Sequence, residues 1–247
     1  MSQMLDESFI GKGELHAAVK VAGQLEYFFL GNCSNLSLQP NENTITLRDY
    51  TRPGGGNRAS HTTIDSLGIS MTLHEFRKKV LEVAARATSS AKSKETITEE
   101  SVTAKLDSFV ALDEFADPAT IVVEKDGVLD PYVAGVDYQP RPGGIYFLKD
   151  GDIADNASLK VTYDTLPHTK VEALTATGAN LAMKFIGINE VTGKAVNVSF
   201  HNVRFGLSGL DFISDEFAEF SLEGEVQADP SILTAGVSRF YKLEMQD

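Results

Sequence analysis

The chain has no tryptophan, a single cysteine and no long uninterrupted apolar segment. Cys33 alone cannot form an internal disulfide framework or a multi-cysteine zinc site, and its strand-like neighbours indicate a small buried hydrophobe. The longest apolar stretch, residues 19–30, is broken by Lys20, Gly23 and Glu26, whereas a membrane-spanning helix needs roughly 18 apolar residues. The sequence therefore predicts neither a disulfide-rich protein nor a membrane-spanning one.

Positive charge is also scarce, because 35 acidic residues face 22 basic ones and the net charge is −13. Such a chain repels polyanions, so a DNA- or RNA-binding role is not expected. The net negative charge favours either solubility or a surface along which DNA can pass without binding. Residues 1–7 lack the basic start and apolar centre of a secretory signal, which predicts folding in a cytoplasm.

Catalytic and metal-binding patterns are missing as well. The five histidines show no metal-ligand spacing, and no Walker loop, dinucleotide-binding glycine pattern or nucleophile elbow occurs. Carboxylate pairs such as Asp113–Glu114, Asp215–Glu216 and Glu223 with Glu225 are candidates in name only, and the absence of tryptophan weakens a sugar-cleft interpretation. We expect a turn rather than a calcium loop at residues 150–155. The sequence thus predicts no enzyme, no cofactor and no bound metal.

What the chain does contain is a succession of β-strand patterns. Strands are predicted at residues 14–21, 25–30, 35–38, 44–47 and 62–73, with a turn at residues 39–43. Residues 181–185 and 196–200 alternate in polarity around a turn at residues 189–194, which predicts a hairpin. Later strands are predicted around Phe220–Val226 and Tyr241–Met245.

One helix is predicted at residues 74–88, where Phe76, Val80, Val83 and Ala87 recur at three- and four-residue spacing. Thr72 is its predicted N-cap, with a glutamate three residues later as in a capping box. The pattern is that of an amphipathic helix packed on a sheet.

Residues 105–165 are predicted to form a separate β-sandwich inserted into the main domain, which then comprises residues 1–104 and 166–247. Strands are expected at residues 119–124, 132–136, 144–148 and 159–163, with a turn at residues 139–143. Twelve acidic and five basic residues between 105 and 164 give this stretch a net charge of −7.

The most unusual local feature is residues 48–58, where three consecutive glycines follow a proline, with arginine on both sides of them and Tyr50 ahead of them. Arginine and tyrosine commonly anchor protein interfaces. An ordinary long hairpin loop remains an alternative, and a phosphate site is disfavoured because no helix with Lys-Ser/Thr follows. The candidate interface residues are Arg48, Asp49, Tyr50, Arg52, Pro53, Gly54, Gly55, Gly56, Asn57 and Arg58.

The order and spacing of several segments resemble the major tail tube proteins of long-tailed bacteriophages. The segments are residues 25–38, 46–50, 53–56, 63–76, 185–194 and 220–229. The resemblance covers both flanks of the predicted insert. It implies a mainly β fold, with a sandwich or barrel-like core, one flanking helix and an inserted Ig-like sandwich as an outward decoration.

The resemblance also implies a function in the virion tail, after assembly in the host cytoplasm. Subunits of that family form hexameric rings that stack into a hollow tube, through which phage DNA passes without specific binding. Residues 48–58 match its inter-ring loop in position, and residues 1–12 match its N-terminal arm. The implied partners are further copies of the chain, a tape measure protein and tail terminator and tip proteins, with no membrane.

Two other functions stay open from the residues. One is an adhesin whose inserted sandwich, at about residues 119–163, binds cell-surface glycan. The other is an enzyme acting on cell-wall sugars through a carboxylate pair.

Overall fold

The computed structural model describes residues 8–21, 24–125 and 130–247. The chain divides into two compact units. The first comprises Met1–Thr88 and Val171–Asp247, and the second comprises Ser89–Lys170. The second unit begins before the predicted boundary at residue 105, because the strand Thr96–Thr103 pairs with Ser158–Asp164 inside it.

The first unit is built on one large antiparallel sheet. Its elements are β1 Gly11–Val21, β2 Gln24–Phe29, β3 Cys33–Arg48, β4 Asn57–Leu73, α1 Lys78–Ala84, β13 Leu181–Asn189, β14 Ala195–Leu210, β15 Phe220–Val226 and β16 Tyr241–Met245. The strand order is β2-β1-β13-β14-β15-β4-β3, and β16 also pairs with β14. The fold is mainly β with one helix, as the sequence predicts.

One face of this sheet buries the core of the unit. Residues of five strands, Leu30 and two residues of α1 form a single apolar cluster, because side chains two apart in a strand share a face. Its buried members are Leu15, Ala17, Leu30, Ile69, Met71, Leu73, Val80, Ala84, Leu181, Met183, Phe200, Val203, Phe205, Phe220, Leu222 and Val226. The strands predicted at residues 62–73, 181–185 and 220–226 are confirmed, and each contributes to this core.

The predicted hairpin at residues 181–200 is also confirmed. Strands β13 and β14 pair antiparallel, with Met183 opposite Phe200 and Phe185 opposite Val198. The amide of Asn189 donates to the carbonyl of Lys194 over 2.8 Å and closes the turn.

The predicted helix was too long. Only Lys78–Ala84 is helical, and its N-cap residue is Arg77, with no side-chain cap. Thr72 lies instead in β4, opposite Ser221. Ahead of the helix, the Arg77 guanidinium forms an ion pair with Glu75 (2.6 Å) and lies 4.8 Å from the centre of the Phe29 ring, so the capping box does not form.

The predicted turn at residues 39–43 was wrong. Strand β3 runs through it without a break, and Pro40 pairs with Leu67. Because β3 is the outermost strand of the sheet, its proline removes no hydrogen bond that a neighbour needs.

The second unit contains two three-stranded sheets around its own core. The first sheet has the order β7-β10-β9 and the second β6-β11-β8. The strands are β6 Thr96–Thr103, β7 Ser108–Ala111, β8 Val122–Lys125, β9 Tyr138–Arg141, β10 Gly144–Phe147 and β11 Ser158–Asp164, with a 3₁₀ turn at Pro118–Thr120. Phe147, Leu159 and Val161 lie in the shared core with no exposed surface. The short strands β5 Thr88–Lys92 and β12 His168–Glu172 pair with each other where the chain enters and leaves the unit.

Two predictions inside this unit need correction. The turn predicted at residues 139–143 is confined to residues 142–143, because residues 138–141 form β9, an edge strand in which Pro140 pairs with Ile145. Residues 132–136 form no strand. The buried carboxylate of Asp137 organises them instead, because it accepts hydrogen bonds from the amides of Val133 and Asp152, each over 2.7 Å.

Two further sequence expectations concern Cys33 and the membrane. Cys33 is a free, half-buried thiol whose Sγ donates to the carbonyl of Asn35 over 3.0 Å. Desolvation raises its pKa, so the thiolate is disfavoured. Among the described residues, no helix is long and apolar enough to cross a bilayer.

Because each unit has its own core, a cavity in one core should leave the backbone amides of the other unit protected from hydrogen exchange. We expect Phe147→Ala to destabilise the second unit by about 3–5 kcal/mol. Hydrogen exchange by mass spectrometry should show faster exchange in peptides from residues 89–170 and unchanged exchange in peptides from residues 181–226. Phe109→Ala is the matched control, because Phe109 is 53% exposed. Equal loss of protection in both regions would contradict separate cores.

Candidate assembly interface

The most unusual feature of the first unit is a two-stranded ribbon formed by the far halves of β3 and β4. Strand β15 pairs with β4 only from Leu73 to Gly68. Beyond that point, residues 40–48 pair with residues 57–67, and within residues 8–21, 24–125 and 130–247 no third strand pairs with them. An isolated two-stranded hairpin is marginally stable in water, so this ribbon is a structure that gains from a further contact.

Apolar side chains along the ribbon are exposed. Ile45 is 65%, Leu47 54% and Ile64 68% exposed, and Tyr50 at the tip is 83% exposed. Polar contacts add to the ladder, since the hydroxyls of Thr44 and Thr62 lie 2.9 Å apart. The ribbon therefore has a defined register and an uncovered apolar surface.

A structured loop, residues 49–56, closes the ribbon. The amide of Asp49 donates to the carbonyl of Gly56 over 2.8 Å. The Asp49 carboxylate accepts hydrogen bonds from the hydroxyl (2.5 Å) and the amide (2.9 Å) of Thr51, and these lower its pKa. Gly55 has φ +20°, and a Cβ there would lie 2.8 Å from the Asp49 carbonyl oxygen. The loop thus requires glycine at this position.

The structure brings all ten candidate interface residues together at this tip. Arg48 ends β3, Asn57 begins β4 and the others connect them or follow directly. Arg48, Arg52 and Arg58 are exposed, and none forms an ion pair within the part of the chain that the structure describes. The tip therefore presents three free guanidinium groups and an aromatic ring.

A second exposed cluster, missed by the sequence reasoning, lies on the loop of residues 211–219 between β14 and β15. Phe212 is 82%, Ile213 97% and Phe217 90% exposed. The same loop carries Asp211, Asp215, Glu216 and Glu219. The signal in the sequence was three large apolar residues among acidic ones. Ile213 and Phe217 have the four-residue spacing of a helix face, but residues 211–219 form no helix that could bury them.

This loop borders an open groove of about 600 Å³. Its lining residues are His74, Asp215, Glu216, Phe217 and Glu219. The carboxylates of the loop form no ion pair among the described residues. The groove is therefore acidic, with an exposed phenyl ring at its wall.

The sheet face opposite the core is mostly polar and carries both signs of charge, although Ile186 and Ile188 are exposed on it. Cross-strand pairing places Arg204 opposite Glu225, and Lys242 pairs opposite Ser199. The outermost strand β2 exposes Leu25 (47%) and Tyr27 (48%). The sheet thus offers a polar face of mixed charge and an edge with apolar side chains.

The sequence also raised possible carboxylate and metal sites. Asp155 accepts a hydrogen bond from the amide of Leu106 over 3.2 Å and lies 3.7 Å from the Lys105 ammonium. These contacts give the Asp-rich turn at residues 150–155 a structural role. No group of three or more metal-ligating side chains is found in residues 8–21, 24–125 and 130–247.

The predicted N-terminal arm is only partly described. Residues 1–7 lie outside the described residues, and residues 11 and 12 belong to β1. Between them, the amide of Ile10 donates to Oδ1 of Asn189 over 3.1 Å, and the Asn189 amide group donates to the carbonyl of Ser8 over 2.9 Å. Phe9 is 57% exposed.

Comparison with known sequences gives a family and no function. No curated protein matches the chain. Residues 8–244 match the family described as "Protein of unknown function UCP028589". Because this match covers nearly the whole sequence, the chain belongs to that family of unknown function.

Proposed function

We propose that the protein is a structural subunit that assembles with copies of itself into stacked hexameric rings, forming the hollow tail tube of a bacteriophage. The observation that carries the proposal is the two-stranded ribbon of β3 and β4, which no third strand joins in the described part of the chain and which exposes apolar side chains. Because a two-stranded ribbon is marginally stable by itself, a contact that covers these side chains would stabilise it.

Burial of the exposed apolar side chains of the ribbon would stabilise a contact between subunits. Burial of a large apolar side chain contributes about 1.5–3 kcal/mol relative to full exposure. Ile45, Leu47, Ile64 and Tyr50 are already partly covered, so each contributes less than that. In a tube each subunit would supply these contacts again, which favours cooperative growth.

The open edges of the large sheet support ring formation. Unpaired edge strands are templates for pairing with a neighbouring chain, and a closed ring satisfies them in every subunit. Strand β2 is such an edge, with Leu25 and Tyr27 exposed on it. A heterologous contact between this edge and another sheet edge closes into a ring when the rotation allows it.

The charge distribution is compatible with passage of DNA. Ser89–Lys170 holds 15 acidic and 8 basic residues, net −7, which leaves 20 and 14, net −6, for the first unit. The acidity is thus shared between the units, and the polar face of the large sheet is of mixed sign. A surface of that kind offers DNA no continuous positive track.

The test is electron microscopy of the purified protein in negative stain over a range of concentrations. Six-fold rings and hollow tubes that lengthen with concentration are the expected result. A protein that stays monomeric at millimolar concentration and binds bacterial cells or glycans would contradict the proposal and favour the adhesin. Turnover of cell-wall sugar, lost on replacement of one carboxylate, would favour the enzyme.

A further inference from the structure

The acidic groove at residues 211–219 and the basic tip at residues 48–58 lie at opposite ends of the paired strands β3 and β4. Strand pairing fixes this arrangement, because Leu73 pairs with both Cys33 and Phe220 at one end, while Arg48 pairs with Asn57 at the other. The 17 residues of β4 separate the two ends, which corresponds to roughly 50 Å at about 3.3 Å per residue. The tip of one copy therefore cannot reach its own groove.

The two surfaces match in chemistry. The tip presents Arg48, Arg52 and Arg58 with Tyr50, and the groove presents Asp215, Glu216 and Glu219 beside Phe217. Arginine pairs with carboxylates in fork geometry and stacks on aromatic rings. Neither the arginines of the tip nor the carboxylates of the groove form an ion pair inside the described part of the chain.

Exposed apolar groups add to this match. Phe212 and Ile213 extend the groove side, and Leu47 and Tyr50 extend the tip side. Interfaces commonly combine a few aromatic or arginine anchors with complementary charge. The loop is therefore more than an acidic cluster. Its large apolar residues are 82–97% exposed, and only a contact with another surface can bury them.

We infer that the hairpin tip of one copy docks into the groove at residues 211–219 of another copy. The contact is head-to-tail, since the donor and acceptor surfaces are different and lie at opposite ends. Repetition of a head-to-tail contact produces an open chain of subunits along one axis when its rotation does not close a ring. The inference rests on the proposed function and names the acceptor surface of its stacking contact.

Charge reversal tests this pairing. Variant one carries Arg52→Glu and Arg58→Glu, variant two carries Glu216→Lys and Glu219→Lys, and variant three combines all four. Like charges facing each other oppose docking, so each of the first two should raise the concentration needed for tube growth on the order of tenfold or more. Variant three restores opposite signs and should return that concentration towards the wild-type value.

The matched control is Glu190→Lys with Asp150→Lys, which changes net charge as variant two does at two exposed positions elsewhere. It should assemble like the wild type, and circular dichroism should show all variants folded. Tubes from variant two at the wild-type concentration, or no recovery in variant three, would overturn the inference while tube formation itself stands. A wild type that forms neither rings nor tubes would overturn the proposed function as well.

Cross-linking gives a second readout that does not depend on tube length. In a Cys33→Ser background, a Thr51→Cys copy is mixed with a Ser214→Cys copy and treated with a short bifunctional maleimide. Cross-linked dimers should form in the mixture and not with the Thr51→Cys copy alone. Equal cross-linking in both samples, or none in a mixture that forms tubes, would show that the tip docks elsewhere.

Discussion

Replacing residues 44–62 by an Asn-Gly turn is expected to abolish tubes while leaving the fold intact. The truncation keeps the pair Asn43–Thr63 and removes the pairs beyond it. No buried member of either core lies in the removed stretch. Thermal unfolding should therefore match the wild type, circular dichroism should lose only the strand signal of the removed residues, and electron microscopy should show subunits or single rings.

A gentler pair of variants separates loss of ribbon length from loss of apolar contact. Ile45→Ser with Leu47→Ser removes exposed apolar groups from one face of the ribbon, and Thr44→Ser with Thr46→Ser is the control on the other face. The first should raise the concentration needed for tubes on the order of tenfold, as loss of about 1.4 kcal/mol predicts. Normal tubes from the protein that lacks residues 44–62 would show that the ribbon takes no part in assembly.

The strands that alternate clearly could be predicted from the sequence, and the strands containing proline could not. Ile69, Met71 and Leu73 lie on one buried face, as their spacing indicates. Pro40 and Pro140 were both interpreted as turn residues. In each case the proline sits on an edge strand, where its missing N–H is not needed. Only pairing partners distant in sequence reveal which strand is an edge.

The short helix shows the same limit. Phe76 has the spacing of a helical core residue, but its ring lies 6.1 Å from that of Phe220 and the residue is 45% exposed. The chain before Lys78 is held by a long-range contact, in which the amide of His74 donates to the carbonyl of Asn32 over 2.9 Å. Tertiary hydrogen bonding of this kind overrides local helix preference.

Half of the candidate interface could be found from local composition. The glycines and arginines of residues 48–58 indicate an unusual loop, and the structure places them at one tip. The groove at residues 211–219 was not predicted because acidic residues lie between its apolar residues. Its relation to the tip depends on the register of β3, β4 and β15, which a sequence without known pairings does not contain.

Excision of residues 93–167, with a short Gly/Ser linker joining Lys92 to His168, is expected to leave a folded protein that still forms tubes. All buried members of the second core, from Val102 to Tyr163, leave with the excised stretch. The first core, from Leu15 to Val226, loses none. The new linker joins β5 and β12, which already pair, so closing this short loop costs little entropy.

The measurements are thermal unfolding and mass per unit length of the tubes. The shortened protein should unfold in one cooperative transition, and its tubes should lose mass in proportion to the excised residues while keeping the axial repeat. The control is the isolated fragment Ser89–Lys170, which should fold by itself because it keeps the second core. An insoluble shortened protein together with a folded fragment would show that the first unit depends on the second. Folded subunits that no longer assemble would instead place part of the assembly contact within the second unit.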